Sequence, residues 1–233
     1  MVPLRDDNPT SITPFVTYGL IAANVLVFFY ELMLLQQGRL EEFFQLWAVV
    51  PKQLTASFGG TVGNVAVSPV PEWMPLFSSQ FLHGGWLHLG GNMLFLWIFG
   101  NNVEDCLGHV KYLIFYLGCG VLASLSHWFF SMGSEIPSLG ASGAIAGVMG
   151  AYILRYPQAR IVTLIPLGIF TTLIRIPAVF FLGFWFVQQA LYSIASLSTN
   201  ASGQGGVAYW AHAGGFAFGA ILGPLMGLFA NKK

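Results

Sequence analysis

Charged residues are scarce in this chain. Lys, Arg, Asp and Glu together make up 8% of its 233 residues, against roughly 25% in an average soluble domain, which excludes a water-soluble globule. Nine basic residues offset nine acidic ones and form no run, so the patch that would hold a phosphate backbone is missing and nucleic acid is excluded as a partner. Cysteine is limited to Cys106 and Cys119, with no CxxC spacing. That leaves no disulfide framework or thiolate metal centre, and both are expected as free thiols. The zinc-protease helix motif HExxH is absent, so no metal is expected, and no other cofactor. Met1 to Thr13 carries Arg5, Asp6 and Asp7 and lacks the apolar core and small-residue cleavage site of a signal peptide. The first apolar segment is therefore expected to stay in the mature protein. Internal repeats, low-complexity tracts and a soluble stretch fit for a second domain are also missing, so residues 1–233 read as one membrane domain.

What the chain has instead is apolar length, with 55% of its residues hydrophobic. Crossing a hydrocarbon core of ~30 Å takes about 20 apolar residues in a helix. Six candidate spans follow: Ile12 to Met33, Leu82 to Gly100, Val110 to Met132, Gly140 to Leu154, Pro177 to Leu197, and Ala208 to Ala230. The fourth is short and covers only about 22 Å at ~1.5 Å per residue, so its outer end is expected below the membrane surface. The expected fold is an all-α membrane bundle of six spans. Within the long Gln36 to Pro75 connection, Leu40, Phe43, Phe44 and Trp47 recur at helical spacing beside Glu41, Glu42 and Gln45, the pattern of an amphipathic helix lying in the interface. Ser198 to Gly206 reads as a polar, Gly-rich loop. Ile161 to Phe170 is apolar but interrupted by Pro166 and Gly168; it is expected as an inner-leaflet or re-entrant piece, with the start of a seventh span as the alternative.

Basic residues orient the bundle. With the N-terminus cytoplasmic, Arg5, Lys111, Arg155, Arg160, Arg175, Lys232 and Lys233 fall inside, and Arg39 and Lys52 fall outside. Both termini are then cytoplasmic, and spans two, four and six run from outside to inside. His88, Asn92, Ser142 and His212 all come to lie in the outer halves of parallel helices.

Polar groups that can ionise or react are costly in hydrocarbon, so a set of them at one depth marks a functional site. A serine hydroxyl becomes a nucleophile when a base takes its proton, most often a histidine within hydrogen-bond reach. Ser142 and His212 are the best such pair. Gly143, Gly147 and Gly150 stripe span four, and Gly215, Gly219 and Gly223 stripe span six, which allows close helix approach. His88 and Asn92, four apart on one helix face, can supply donors to a developing oxyanion. His83 suits a structural hydrogen bond, His109 an inner loop, and His127 a packing role. No Asp or Glu lies in the outer half of spans two, four or six, which leaves a Ser-His dyad and no paired aspartates for an aspartyl mechanism.

At these residues the chain resembles the rhomboid family of intramembrane serine proteases, from about Ile12 to Ala230. The resemblance is carried by His83-Gly-Gly-Trp-Leu-His88-Leu-Gly-Gly-Asn92, Gly140-Ala-Ser142-Gly143-Ala-Ile-Ala-Gly147, and Ala211-His212-Ala-Gly-Gly215 followed by Gly219. It implies Ser142 as nucleophile, His212 as general base, and an oxyanion hole of His88, Asn92 and the Ser142 backbone N–H. It further implies a six-helix fold whose fourth helix starts at the bottom of a water-filled cavity, with span five and the last external loop gating lateral access. The chain departs from the family pattern twice. Trp73 has no Arg beside it, and Ala146 stands one turn after the nucleophile where some members have a tyrosine that packs on the base. The expected function is cleavage of single-span transmembrane partners near their outer ends, within a plasma-membrane bilayer. Two alternatives are a catalytically silent binder of membrane helices, and a small transporter or haem protein using His83, His88 and His212.

Overall fold

A computed structural model describes residues 1–59, 69–167, 170–198 and 208–230. In chain order it holds β1 (Val2–Asp6), α1 (Phe15–Gln36), α2 (Leu40–Trp47), α3 (Pro51–Ser57), α4 (Pro75–Ser78), a 3-10 turn (Ser79–Phe81), α5 (Trp86–Leu107), α6 (His109–Phe130), α7 (Ser142–Arg155), β2 (Arg160–Leu167), β3 (Phe170–Pro177), α8 (Ala178–Ser198) and α9 (Tyr209–Met226). The expected loop from Ser198 to Gly206 falls almost wholly outside the described residues.

The first long helix shows how the chain meets its surroundings. Thr17, Leu20, Asn24, Phe28, Glu31 and Leu34 form its buried stripe, and three of these are polar. Leu26, Phe29 and Leu35 are more than half exposed. Polar groups inward and apolar groups outward invert the pattern of a helix facing water. Phe180, Phe184, Val187 and Leu191 repeat that apolar outer face on α8. α1, α6 and α8 are long and apolar enough to cross a membrane.

Helix ends at one side of the bundle are tied by carboxylates. Fully buried Glu104 of α5 accepts the N–H groups of Val16 and Thr17 at 2.9 and 2.8 Å and the Thr17 hydroxyl at 2.7 Å. Asp105 accepts the N–H and hydroxyl of Ser11 at 3.0 and 2.7 Å. The first N–H groups of a helix have no partner within it and carry partial positive charge, so a carboxylate from the next helix satisfies both needs at the start of α1. His109 completes the cluster, with Nδ1 2.6 Å from Glu104 Oε1. α5 continues past Gly100 to Leu107 and carries these two carboxylates in its last turn.

The all-α expectation needs correction. β1, β2 and β3 form an antiparallel sheet in that order, pairing Val2 with Leu164 and Leu164 with Leu173. The segment expected as a re-entrant piece, or as the start of a seventh span, is therefore β2 leading to β3. Ile161, Val162, Thr163, Ile165, Thr171, Thr172, Ile174 and Ile176 are β-branched, and their stiff side chains suit a pleated, half-buried surface. Ile161 and Thr163 are fully buried in that sheet.

α7 is the buried centre, with every residue from Gly143 to Tyr152 buried. Its glycines let neighbouring backbones touch it. A Cβ on Gly147 would collide with Cys119 of α6, one on Gly150 with the carbonyl of Phe216, and one on Gly219 with the carbonyl of Gly147. A Cβ on Gly143 would lie 2.7 Å from that of Ala123, one on Gly215 would strike the carbonyl of Gly143, and one on Gly223 would come 3.0 Å from Ala151 Cβ. Cys106 and Cys119 are free thiols.

Candidate active site

The segment before α7 is pinned from outside. Gly140 N–H donates to the Ser79 carbonyl at 2.8 Å, and Val49 and Ser138 exchange backbone bonds of 3.0 and 2.8 Å. Gly140 has φ +126°, a conformation L side chains rarely adopt, and a Cβ there would lie 2.7 Å from His88 Nε2. Glycine is required on both counts. Ser142 then starts α7, where its backbone N–H is one of the unpaired N-terminal donors and the helix dipole is positive.

His212 enters on the first turn of α9, whose backbone lies against α7 through the glycine contacts. Its Nε2 is 2.8 Å from Ser142 Oγ. Its Nδ1 is 2.8 Å from Gln189 Oε1 on α8. The Trp185 ring, also from α8, lies 5.8 Å from the imidazole between centroids, tilted by 34°. Ser142 and His212 are both half-buried, and Gln189 is buried. A cavity of about 20 Å³ beside Ser142, lined in part by Ser79, Gln80, Ser124 and Gly140, has room for one water. A larger cavity, about 300 Å³, lies among Ser11, Asp105, Cys106, Arg155 and Tyr156 and includes none of the sequence-expected site residues.

His88, expected as an oxyanion donor, lies against Gly140, two residues before Ser142. The backbone N–H of Gly84 donates to its Nδ1 at 3.3 Å, which leaves the hydrogen on Nε2, the atom beside Gly140. The point a Gly140 Cβ would occupy is 2.7 Å from His88 Nε2 and 3.6 Å from Ser142 Oγ, so both groups border one space. Asn92 is buried, with Nδ2 2.9 Å from His83 Nε2. An amide nitrogen only donates, so His83 accepts one Asn92 hydrogen and the second remains available.

Two contributors escape sequence reasoning. Glu31, buried in α1, accepts the backbone N–H of His83 at 3.1 Å and so fixes the residue that holds Asn92. Gln189 contacts the expected base directly. Neither belongs to a motif; a polar side chain on the buried face of an otherwise apolar helix is the signal that marks each.

Comparison with known proteins places this geometry in context. Residues 70–229 match the rhomboid domain family, and the chain belongs to that family. It is similar to Rhomboid protein 1, mitochondrial, of Saccharomyces cerevisiae, with 29% identity over 223 residues, 92% of this chain and 53% of that protein. It is 30% identical over 158 residues to the human Presenilin-associated rhomboid-like protein, mitochondrial, covering 66% of this chain and 36% of that one. It is also 31% identical over 220 residues to Rhomboid protease GluP of Bacillus subtilis, 94% of this chain and 37% of that protein. The chain thus spans between about a third and a half of the length of these relatives.

Proposed function

We propose that this chain is an intramembrane serine protease acting through a Ser142–His212 dyad. The observation that carries the reading is the 2.8 Å contact between Ser142 Oγ and His212 Nε2, made between helices that glycines allow to touch. Ser142 Oγ attacks the scissile carbonyl carbon while its proton passes to His212 Nε2, which returns it to the leaving amine. The carbonyl oxygen becomes an oxyanion beside the Ser142 backbone N–H, His88 Nε2–H and the free Asn92 hydrogen, donors fixed before the charge develops. α1, α5, α6, α7, α8 and α9 are read as the six spans, with α7 beginning within the membrane. Single-span transmembrane proteins are the substrates. A helix shields its backbone by internal hydrogen bonds, so the cleaved stretch carries small or helix-destabilising residues. That GluP is named a protease supports the reading, and the membrane of residence in this reading is a prokaryotic plasma membrane.

The test is cleavage of single-span helices by the purified protein in lipid. Ser142→Ala and His212→Ala are each expected to abolish it, with the double variant hardly worse than either single, because residues acting as one unit are strongly non-additive. A metal chelator should leave the rate unchanged. Wild-type cleavage by either single variant would sink the dyad. A protein that binds such helices, cuts none and is not labelled by a serine-directed probe would be the silent binder instead.

A further inference from the structure

We infer that Gln189 is a positioning residue for the base: its amide oxygen holds the His212 ring in the tautomer and orientation that leave Nε2 free to take the Ser142 proton. The inference rests on the dyad reading above and deepens it. Gln189 Oε1 lies 2.8 Å from His212 Nδ1, and an amide oxygen only accepts. Nδ1 therefore carries the hydrogen, and since neutral imidazole has one, Nε2 turns a lone pair toward Ser142 Oγ. The reverse tautomer would face the serine with an N–H and could not act as a base. As Oγ bonds to the carbonyl carbon, its proton moves to Nε2 and the imidazolium keeps Nδ1–H on Gln189. That same Nε2 proton then leaves with the amine, so Gln189 gains and loses nothing.

The chemistry suits the location. A carboxylate in this place would carry a large desolvation cost, whereas an amide offers the acceptor without net charge. Trp185 stands one turn before Gln189 on the same face of α8, and its ring is 5.8 Å from the imidazole. One helix thus bounds the base by an aromatic face and a hydrogen bond, at a site where Ala146 offers no ring. Because both residues belong to α8 and the base to α9, the base is correctly held only while α8 is seated.

Gln189→Leu and Gln189→Glu in the full-length protein in lipid test this, beside Ser142→Ala and His212→Ala. The measurements are kcat and KM on a single-span substrate, the rate of labelling by a fluorophosphonate probe, and thermal unfolding. For Gln189→Leu, kcat and the labelling rate per folded molecule should fall about 10–100-fold, by analogy with loss of the hydrogen-bond partner that orients a metal-bound histidine, with KM unchanged. Gln189→Glu keeps an acceptor oxygen in the same place and should recover part of the rate that Gln189→Leu loses. A Gln189→Leu protein with wild-type kcat overturns the inference, as does one whose whole loss tracks its folded fraction. If Gln189→Leu does not fold, Gln189→Ala takes its place, and wild-type kcat in that variant overturns the inference. Dead Ser142→Ala and His212→Ala beside a normal Gln189→Leu removes only the role of Gln189, whereas active dyad variants remove the catalytic reading itself.

Discussion

His88 and Asn92 stand in different relations to the serine. His88 is aimed by one backbone bond from Gly84, while Asn92 is aimed through His83, itself fixed by Glu31 of α1. Removing a preorganised oxyanion donor typically costs ~10²–10³ in kcat, about 2.7–4 kcal/mol, so His88→Ala and Asn92→Ala are each expected in that range. His83→Ala acts through Asn92 and through the His88 ring, which His83 meets edge-on at 5.0 Å between centroids, and should cost about 10-fold, the lower end for an outer partner. Turnover and thermal unfolding measured together decide the matter: a large loss of stability with near-normal kcat in the folded fraction would make these residues helix joiners. The same chains of contact explain what a reader of the sequence could see. Ser142, His212, His88 and Asn92 announce themselves through local spacing among glycines and small residues. Gln189 lies 23 residues from His212 and Glu31 lies 52 from His83. Nothing local ties such pairs, and only folding brings them together.

Helix contacts and strands differ in how plainly local pattern encodes them. Gly215, Gly219 and Gly223 recur every fourth residue, which is one helix face, and the structure lays that face against α7. The sheet left a weaker trace. β2 and β3 are short, mainly apolar runs that periodicity alone cannot separate from buried helix, and β1, with Arg5 and Asp6 among its five residues, pairs with a stretch over 150 residues away along the chain. The enrichment in β-branched residues was the available cue. Glycine substitution tests the helix contact. A Cβ on Gly219 would overlap the Gly147 carbonyl, a backbone atom that cannot rotate aside, whereas Gly90 of α5 has nothing within 4 Å. Gly219→Ala should therefore cost about 1–3 kcal/mol of stability as an overpacked site does, and lower activity by moving His212 off Ser142. Gly90→Ala should stay within about 0.5 kcal/mol of wild type. Equal melting of the two variants would refute close α7–α9 contact.

For the whole molecule, the two ends of the bundle carry different chemistry. One end gathers the sheet, the Glu104–Asp105 cluster and the foot of α9. Arg5, Arg160 and Arg175 lie in the sheet, Arg155 ends α7, and Lys111 Nζ donates to the Met226 carbonyl at 3.3 Å. The other end gathers α2, α3 and the segment leading to Ser142, with Arg39 and Lys52 as its described basic residues and Lys52 paired to Glu135. Antiparallel pairing of β1 with β2 fixes the N-terminal strand on the same side as the α7–α8 connection, whatever the lipid does. From the excess of Lys and Arg at that end we propose that it faces the cytoplasm, with the Ser142 end outward. Reporters fused after Lys233 and inserted between Tyr156 and Ala159 should therefore both read as cytoplasmic, and one placed at Gly203 as external. The first two must agree with each other if the sheet and the C-terminal foot of α9 share a side, so a split result would break the fold itself. Agreement with both external would keep the fold but invert the protein, and substrates would then be cut at the cytoplasmic end of their spans.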